Sequence, residues 1–167
     1  MRMSWGAALP LCLVMGLGGC GEAPPAPEPE EKPIVLQGGE WELTRKTTGY
    51  NTPTVTPAEY QQALKQIGQQ KLCVAVDKDG VPDADALAWD EGSDCSYKDK
   101  MLRKGRLIAT LSCKAGGGVS EISVEGNYTA ETLTLGTTMT KTQGGSPVLR
   151  TTHDVTGKRI GDCPTSG

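Results

Sequence analysis

The chain has 167 residues, a formal net charge of -3 and 37% hydrophobic residues. This length suits one folded domain better than two. The mildly acidic charge of mixed sign excludes a typical nucleic-acid-binding protein, which needs a basic stripe, and we expect no nucleic-acid partner.

The first residues are typical of a secretory leader. Arg2 precedes an apolar stretch, residues 7–19, which ends in the small residues Gly18 and Gly19. The stretch is too short for a transmembrane helix, which needs roughly 20 apolar residues. Residues 1–19 are therefore predicted to be a signal peptide.

The leader ends in Leu17-Gly18-Gly19-Cys20, which resembles the lipobox of bacterial lipoproteins. In that motif a peptidase cuts before a cysteine whose thiol carries a diacylglycerol, and a third acyl chain such as palmitate joins the new amino group. We expect Cys20 to be lipidated in this way and to hold the chain on a membrane. The alternative is an ordinary signal peptide cut elsewhere, which would leave Cys20 as a leftover thiol.

Residues 20–33 follow the leader and contain mostly proline, alanine and glutamate. Proline favours an extended chain of about 3.1 Å per residue, so this segment is predicted to be a tether of roughly 30 to 40 Å. It leads into a single domain, residues 34–167. Lipoproteins kept in the inner membrane often have aspartate after the lipid cysteine, whereas this chain has Gly21. The expected location is therefore the cell envelope, at the periplasmic face of the outer membrane.

The cysteines predict two disulfides. Cys12 lies in the leader and Cys20 would carry lipid, which leaves four for the domain: Cys73, Cys95, Cys113 and Cys163. An even number in an oxidising compartment indicates disulfides, and four cysteines allow three connectivities. Cys95 and Cys113 flank a predicted hairpin, residues 96–112, so we expect these two to pair, and Cys73 to pair with Cys163.

A zinc site is the alternative use of these cysteines. No two of them have the two-residue spacing of a zinc knuckle, and His153 is the only histidine. We therefore predict no metal and no cofactor.

Alternation of apolar and polar residues predicts strands in most of the domain. Trp41 and Leu43, for example, alternate with Glu40, Glu42 and Thr44, as expected of a strand with one buried face. The same pattern recurs along the chain, and turn-forming residues lie between the repeats. The predicted strands are residues 40–48, 106–113, 119–128, 131–142 and 148–156.

Two helices are predicted between the first strands. Thr56-Pro57-Ala58-Glu59 is a capping box with proline at the first helical position, and Tyr60, Leu64 and Ile67 then follow at helical spacing. This indicates an amphipathic helix over residues 57–68. A second, short helix is predicted over residues 83–89.

The predicted fold class is mainly β. Successive strands with short turns indicate a curved antiparallel meander or a partly closed barrel, with the first helix packed on the sheet. Because the core contains no phenylalanine, the two disulfides should contribute strongly to its stability.

Catalytic chemistry finds little support in the sequence. Any triad would need His153, yet no G-x-S-x-G motif occurs and the cysteines are expected to be paired. We predict that the protein is not an enzyme. His153 has the same strand phase as Leu149 and Val155, so it is expected either to be a structural histidine or to contact a ligand in the concave interior.

Two charged segments have alternative interpretations. Asp77-Lys78-Asp79-Gly80 resembles a calcium loop, but the ligand spacing is wrong, so a solvated turn is the favoured interpretation. A basic cluster is favoured as a solvated hairpin tip, the alternative being contact with lipopolysaccharide phosphate or an acidic partner. The cluster contains Lys98, Lys100, Arg103, Lys104 and Arg106.

The order of these features resembles the domain-of-unknown-function family 3617. The resemblance rests on the lipobox, Gly39-Glu40-Trp41-Glu42, the four cysteines, Gly126-Asn127-Tyr128 and the closing segment, residues 157–163. It covers about residues 38–163. It implies a small secreted or lipid-anchored protein of Gram-negative bacteria and a structural role for Cys163, and it implies no activity.

The sequence therefore leads to two expectations of function. The first is a non-enzymatic binding module, lipid-anchored in the envelope, that holds a small or lipidic ligand in the concavity of the sheet. The second is a protein-interaction or inhibitor module that acts on an envelope enzyme. A pocket reaching His153 would favour the first, and a filled interior with a projecting ordered segment would favour the second.

Overall fold

The computed structural model describes residues 33–164. The predicted signal peptide, Cys20 and most of the predicted tether lie outside these described residues. Seven strands and two helices follow in the order β1 (Gly39–Asn51), α1 (Pro57–Ala63), β2 (Ile67–Val74), α2 (Ala84–Ala88), β3 (Ser93–Arg103), β4 (Arg106–Ala115), β5 (Gly118–Tyr128), β6 (Thr132–Gln143) and β7 (Ser146–Gly161).

All seven strands form one antiparallel sheet in the order β2-β1-β7-β6-β5-β4-β3. The predicted fold class is confirmed, and of its two forms the sheet is the open one. The two edge strands, β2 and β3, follow one another in the chain. The segment between them carries α2, which packs on β3 and lies between the two edges.

The core lies on the inner face of the sheet because apolar residues alternate with polar ones along the strands. In one row across the sheet, Leu111 is opposite Ile122, Ile122 opposite Met139, and Met139 opposite Thr151. Trp41 is fully buried and donates its indole N–H to the Gln37 carbonyl. Burial of these large side chains supplies the main favourable free energy of folding.

Both predicted disulfides are confirmed. Cys73 pairs with Cys163, with 5.4 Å between the Cα atoms, and Cys95 pairs with Cys113, with 4.1 Å between them. Cys73 and Gly161 lie on opposite sides of Glu40 in the sheet. The first disulfide therefore joins β2 to the end of β7 across the beginning of β1.

The first helix is shorter than predicted. The capping box of Thr56 and Glu59 is present, but α1 ends at Ala63, and the predicted last turn is instead the beginning of β2. Ile67 lies opposite Lys46 in the sheet. Pairing of β2 with β1 supplies partners for backbone groups along eight residues, which outweighs the helical preference of residues 64–68.

The second predicted helix is confirmed as α2, between Asp83 as the N-cap and Trp89 as the C-cap. Its Ala84 and Ala88 are buried against the core. Among residues 33–164, neither helix has the length and apolar character needed to cross a membrane.

Candidate functional site: a charged cluster around Arg45 and His153

His153 lies on β7 with its side chain on the inner face of the sheet, between Thr47 on β1 and Thr137 on β6. It is buried, with only 5% of its surface exposed. Its Nε2 is 3.3 Å from Glu91 Oε1, but neither ring nitrogen has a hydrogen-bond partner among the described residues. A buried polar group without a partner is unfavourable, so these nitrogens need a partner atom.

Arg45 connects the sheet to the segment after α2. Its guanidinium donates to Glu91 Oε1 over 2.9 Å and contacts Asp90 Oδ1 over 2.9 Å. The same group lies 4.9 Å from the centre of the Trp89 ring, a cation–π distance. One side chain of β1 thus contacts three successive residues, 89–91, of which Glu91 lies beside His153.

The backbone at Trp89 has an unusual conformation. Its φ is 57° and its ψ is -126°, although bulky residues rarely adopt a positive φ. Such a conformation persists only when its surroundings hold it in place. The Arg45 contacts with Trp89, Asp90 and Glu91 are part of these surroundings.

An enclosed cavity of about 30 Å³ lies beneath this segment. It has room for a water molecule or two, whereas pockets for drug-sized ligands have roughly 300 to 1,000 Å³. The interior around this cavity is therefore largely filled by side chains. The cavity is lined by Arg45, Glu91, Trp89, Thr137 and apolar residues of α2, β1, β6 and β7.

Two further buried hydroxyls on the inner face have no hydrogen-bond partner among residues 33–164. They are Ser120 Oγ on β5 and Thr151 Oγ1 on β7. Thr151 is two residues before His153 on the same face of β7. Ser120, Thr151 and His153 are thus polar side chains on an inner face that is otherwise packed with apolar ones such as Leu111, Met139 and Leu135.

Sequence reasoning selected His153 but assigned no functional role to Arg45, Trp89 or Glu91. The alternation of apolar and polar residues did indicate the direction of Arg45. Arg45 has the same strand phase as Trp41 and Leu43, so its side chain is expected to face inward. Glu91 lies in a loop, where no periodicity applies. Its contact with Arg45 spans 46 residues and could not be read from spacing.

In the segment predicted to be a solvated turn, residues 77–80, and in the residues that follow it, carboxylates accept hydrogen bonds from backbone N–H groups. Asp77 accepts hydrogen bonds from the backbone N–H groups of Val81 and Asp79, each over 2.9 Å. The Val81 bond is the main cause that lowers the pKa of Asp77. Asp83 caps α2, and Asp85 accepts from the Cys95 N–H. Within residues 33–164, no three potential metal-ligating side chains come together.

A second surface feature lies at the end of β1 that is farthest from residue 33. The helix α1 contains no buried residue, and it borders an open groove of about 590 Å³ against β1. Tyr60 on α1 is 37% exposed and Ile67 at the start of β2 is 64% exposed. We call α1 with Tyr50, Gln66 and Ile67 the distal surface.

The comparisons with known proteins gave one family. A family model described as "Protein of unknown function (DUF3617)" matches residues 32–163, which confirms the resemblance inferred from the motifs. No curated protein and no solved structure matched. The chain therefore belongs to the DUF3617 family.

Proposed function

We propose that this protein is a non-enzymatic, lipid-anchored envelope protein that binds another protein through its distal surface. In this proposal the leader is cut before Cys20, the lipid on Cys20 enters the periplasmic face of the outer membrane, and residues 20–33 connect it to the domain. No catalytic residue and no cofactor is assigned. Among such protein-binding roles, we favour inhibition of an envelope enzyme.

The proposal is supported above all by α1, an ordered helix that buries none of its residues. A helix of seven residues is too short to be stable alone, and this one gains little from the core. Its capping box holds it instead, through the Thr56 and Glu59 hydrogen bonds. An element that contributes so little to the core is available to contact a partner.

The position of this surface agrees with such a role. β1 has 13 residues, which corresponds to about 40 Å at the rise of a strand. It begins six residues after residue 33 and ends just before α1. The distal surface therefore lies at the opposite end of β1 from the point where the tether enters the domain.

Photo-cross-linking in the native envelope tests the partner. A benzophenone amino acid at Tyr60 should give one discrete cross-linked adduct, and Ile67→Asp should weaken it. The matched control is the same amino acid at Thr134, an exposed position on the outer face of β6. No adduct from Tyr60, or the same adducts from Thr134, would contradict the proposal.

Mass spectrometry of the protein from its own envelope tests the anchor separately. The expected mature chain begins at Cys20 and carries the mass of three acyl chains. A chain that begins elsewhere, or one with an unmodified Cys20, would refute the anchor but leave the distal surface to the cross-linking experiment.

A small polar ligand beside His153 is a second candidate, favoured by the unpartnered nitrogens of its ring. The cavity below residues 89–91 is small, so a lipid would require this segment to move. Native mass spectrometry in mild detergent should then show a bound mass that is lost in His153→Phe. Identical spectra for both proteins would exclude this candidate.

A further inference from the structure

The end of the domain that contains residue 33 exposes several basic side chains. Of the five basic residues in β3 and at the start of β4, Lys98 and Arg106 form ion pairs with Glu121 and Glu125. The other three have no carboxylate within salt-bridge distance among residues 33–164, and all three are exposed. We call these three the basic tip: Lys100, Arg103 and Lys104.

The turn between β3 and β4 places two members of the basic tip at the end of the sheet. Lys104 and Gly105 both have left-handed backbones, with φ of 50° and 74°, and two such residues in succession form the tight turn of a hairpin. Arg103 and Lys104 therefore lie at the end of this hairpin. Lys100 precedes them on β3, and its ammonium is 5.1 Å from the centre of the Tyr97 ring. That cation–π contact orients Lys100 and leaves its charge in place.

Three exposed apolar side chains lie beside the basic tip. They are 42 to 44% exposed: Ile34, Val35 and Met101. Ile34 reaches the turn itself, because its Cδ1 would lie 3.3 Å from a Cβ atom at Gly105. Met101 lies on β3 just before Arg103. Neighbouring exposed apolar side chains with a polar rim are typical of protein or membrane contact surfaces.

The segment that carries Ile34 and Val35 is held in place by the domain. The Ile34 carbonyl accepts a hydrogen bond from the Tyr128 hydroxyl over 3.2 Å, and the Gln37 N–H donates to a carbonyl of the turn between β5 and β6 over 3.0 Å. Between these two bonds, Leu36 is buried in the core. Ile34 and Val35 are therefore fixed at the surface, and no rearrangement is needed to expose them.

Within the described residues, the acidic turn 77–80 forms no ion pair with the basic tip. Asp77 accepts hydrogen bonds from two backbone N–H groups, and Asp79 forms an ion pair with Lys78 over 3.0 Å. The pKa of Asp77 is lowered mainly by one of these bonds and to a lesser degree by Lys100, whose charge acts on it from beyond contact distance. The positive charge of the tip is thus available to an anion from outside the domain.

We propose that the basic tip and the three apolar side chains beside it form a contact surface for an anionic phospholipid membrane. In this contact Arg103 and Lys104 meet lipid phosphates, while Ile34, Val35 and Met101 enter the boundary between headgroups and acyl chains. Such binding combines buried apolar area with attraction to anionic lipids, and each basic side chain near the membrane strengthens it about fivefold.

A membrane fits this surface better than a soluble anion does. It offers phosphates and an apolar layer side by side, which are the partners that the two groups of side chains require. A free phosphate ion would engage the cations alone and leave the apolar side chains in water. The contact goes beyond the proposed function, because it requires neither the lipid on Cys20 nor a partner at the distal surface.

Co-sedimentation with lipid vesicles tests this surface. The sample is the chain from residue 20 onward with Cys20→Ser, which contains every described residue and lacks the lipidation site. It should partition onto vesicles of phosphatidylglycerol mixed with phosphatidylcholine, and not onto phosphatidylcholine alone. Partitioning should be at least about tenfold weaker in Arg103→Glu/Lys104→Glu. It should also fall in about 0.5 M salt, where charges are screened within a few ångströms.

Lys46→Glu/Lys65→Glu is the matched control for charge. Both lysines are exposed, and Lys46 lies opposite Ile67 at the other end of the sheet. This variant changes the net charge by the same amount and should leave partitioning unchanged. An equal loss in the two double variants would overturn the proposal, because only net charge would then matter. Equal binding to both kinds of vesicle would overturn it as well.

The apolar side chains have a test of their own. Ile34→Ser/Val35→Ser should weaken partitioning several-fold at constant charge. Ile67→Ser/Val119→Ser removes exposed apolar side chains at the opposite end of the sheet and should have no effect. The melting temperature of each variant shows whether it is folded, and Met101→Ser replaces the first variant if that one does not fold.

Three results would assign the basic tip to something other than a membrane surface. Unchanged partitioning of the folded apolar variant would reduce the contact to electrostatic adsorption and overturn the proposal. Partitioning that inorganic phosphate abolishes, while sodium chloride of equal ionic strength does not, would assign the tip to a soluble phosphate. Binding to polyglutamate without binding to the vesicles would assign it to an acidic protein.

Discussion

Arg45 is the residue at which the ion pairs of the inner face meet. It joins β1 to Asp90 and Glu91 and stacks on Trp89, so its removal would leave the half-buried Glu91 without its cation. An uncompensated carboxylate of this kind is costly.

We expect Arg45→Ala to lower the free energy of unfolding by about 1 to 3 kcal/mol. Arg106→Ala is the matched control, because it removes an exposed ion pair with Glu125 and should cost less than about 1 kcal/mol. Urea unfolding with the disulfides intact measures both. A smaller loss for Arg45→Ala than for Arg106→Ala would show that the cluster does not stabilise the domain.

Gly157 occupies a place in the core where no side chain fits. A Cβ atom there would lie 2.5 Å from Leu43 Cδ2 and 2.8 Å from Leu133 Cγ. Gly157→Ala should therefore destabilise the domain by about 1 to 3 kcal/mol through overpacking. Gly136→Ala is the comparison, since its nearest neighbour would be Glu125 O at 3.8 Å. Unfolding curves that coincide for the two variants would refute this account.

Side-chain direction at these residues was predictable, whereas their partners were not. Arg45 shares its strand phase with Trp41, and His153 shares its phase with Val155, which is enough to place both on the inner face. Their common neighbour Glu91 is in a loop, and a loop position depends on how α2 packs. The sequence therefore predicted that Arg45 and His153 face inward, but it did not predict their contacts with Glu91.

Among the elements, α1 is held by local interactions rather than by burial. The Thr56 side chain accepts from the Glu59 N–H, and the Glu59 carboxylate accepts from the Thr56 N–H over 2.8 Å. The hydrogen bond from the Thr56 N–H is the main cause that lowers the pKa of Glu59 below its ordinary value of 4.5. The ionised form of Glu59 thus favours the folded helix.

We expect Thr56→Ala to cost about 1 kcal/mol of local helix stability while the melting temperature of the domain stays the same. Amide hydrogen exchange in α1 should become about fivefold faster. Thr54→Ala removes an exposed hydroxyl outside the capping box and should change neither quantity. An equal fall in melting temperature for the whole domain would mean that α1 belongs to the cooperative core.

The same capping box makes α1 sensitive to acid. Because the folded pKa of Glu59 is below the unfolded one, its stabilisation is fully present above about pH 4.5 and is lost as the pH falls through the folded pKa. Exchange rates corrected for intrinsic pH dependence would show this in the native protein and not in Glu59→Gln.

The elements differ in how far they could be predicted. The capping box fixed the start of α1, and alternation identified β1 and β4 to β7. β2 was missed because most of its residues are exposed, with Gln69, Gln70 and Lys71 in succession, and only Leu72 and Val74 pack toward the core. Its strand conformation comes from pairing with β1, a tertiary effect that outweighs local preference.

For the molecule as a whole, the fold class followed from alternation and the disulfides from the cysteine order. Whether the sheet closes did not follow, because closure depends on strand tilt and stagger. The edge strands β2 and β3 do not pair with each other, and α2 contacts both of them. The segment that connects these two edges also carries Trp89 and Glu91, which belong to the charged cluster.

The disulfide between Cys73 and Cys163 should stabilise the whole domain, since it closes a separation of 90 residues. The loop-entropy model gives about 4.6 kcal/mol for such a link. We expect Cys73→Ser/Cys163→Ser to lower the melting temperature accordingly. Cys20→Ser, which leaves both disulfides intact, is the matched control. A thermal melt that does not change would refute the structural role of this link.

The position of β1 also has a mechanical consequence. It is paired with β2 on one side and β7 on the other, and residue 33 and the distal surface lie toward its two opposite ends. If a force pulls on both ends of β1, it acts along the strand. The hydrogen bonds of β1 to β2 and to β7 are then loaded in shear, and many of them must break at the same time. We expect a higher rupture force in this direction than for peeling β3 from the sheet edge, which single-molecule force spectroscopy would measure. If the proposed lipid anchor and the proposed partner are both engaged, we expect the domain to transmit force between them along β1 without unfolding.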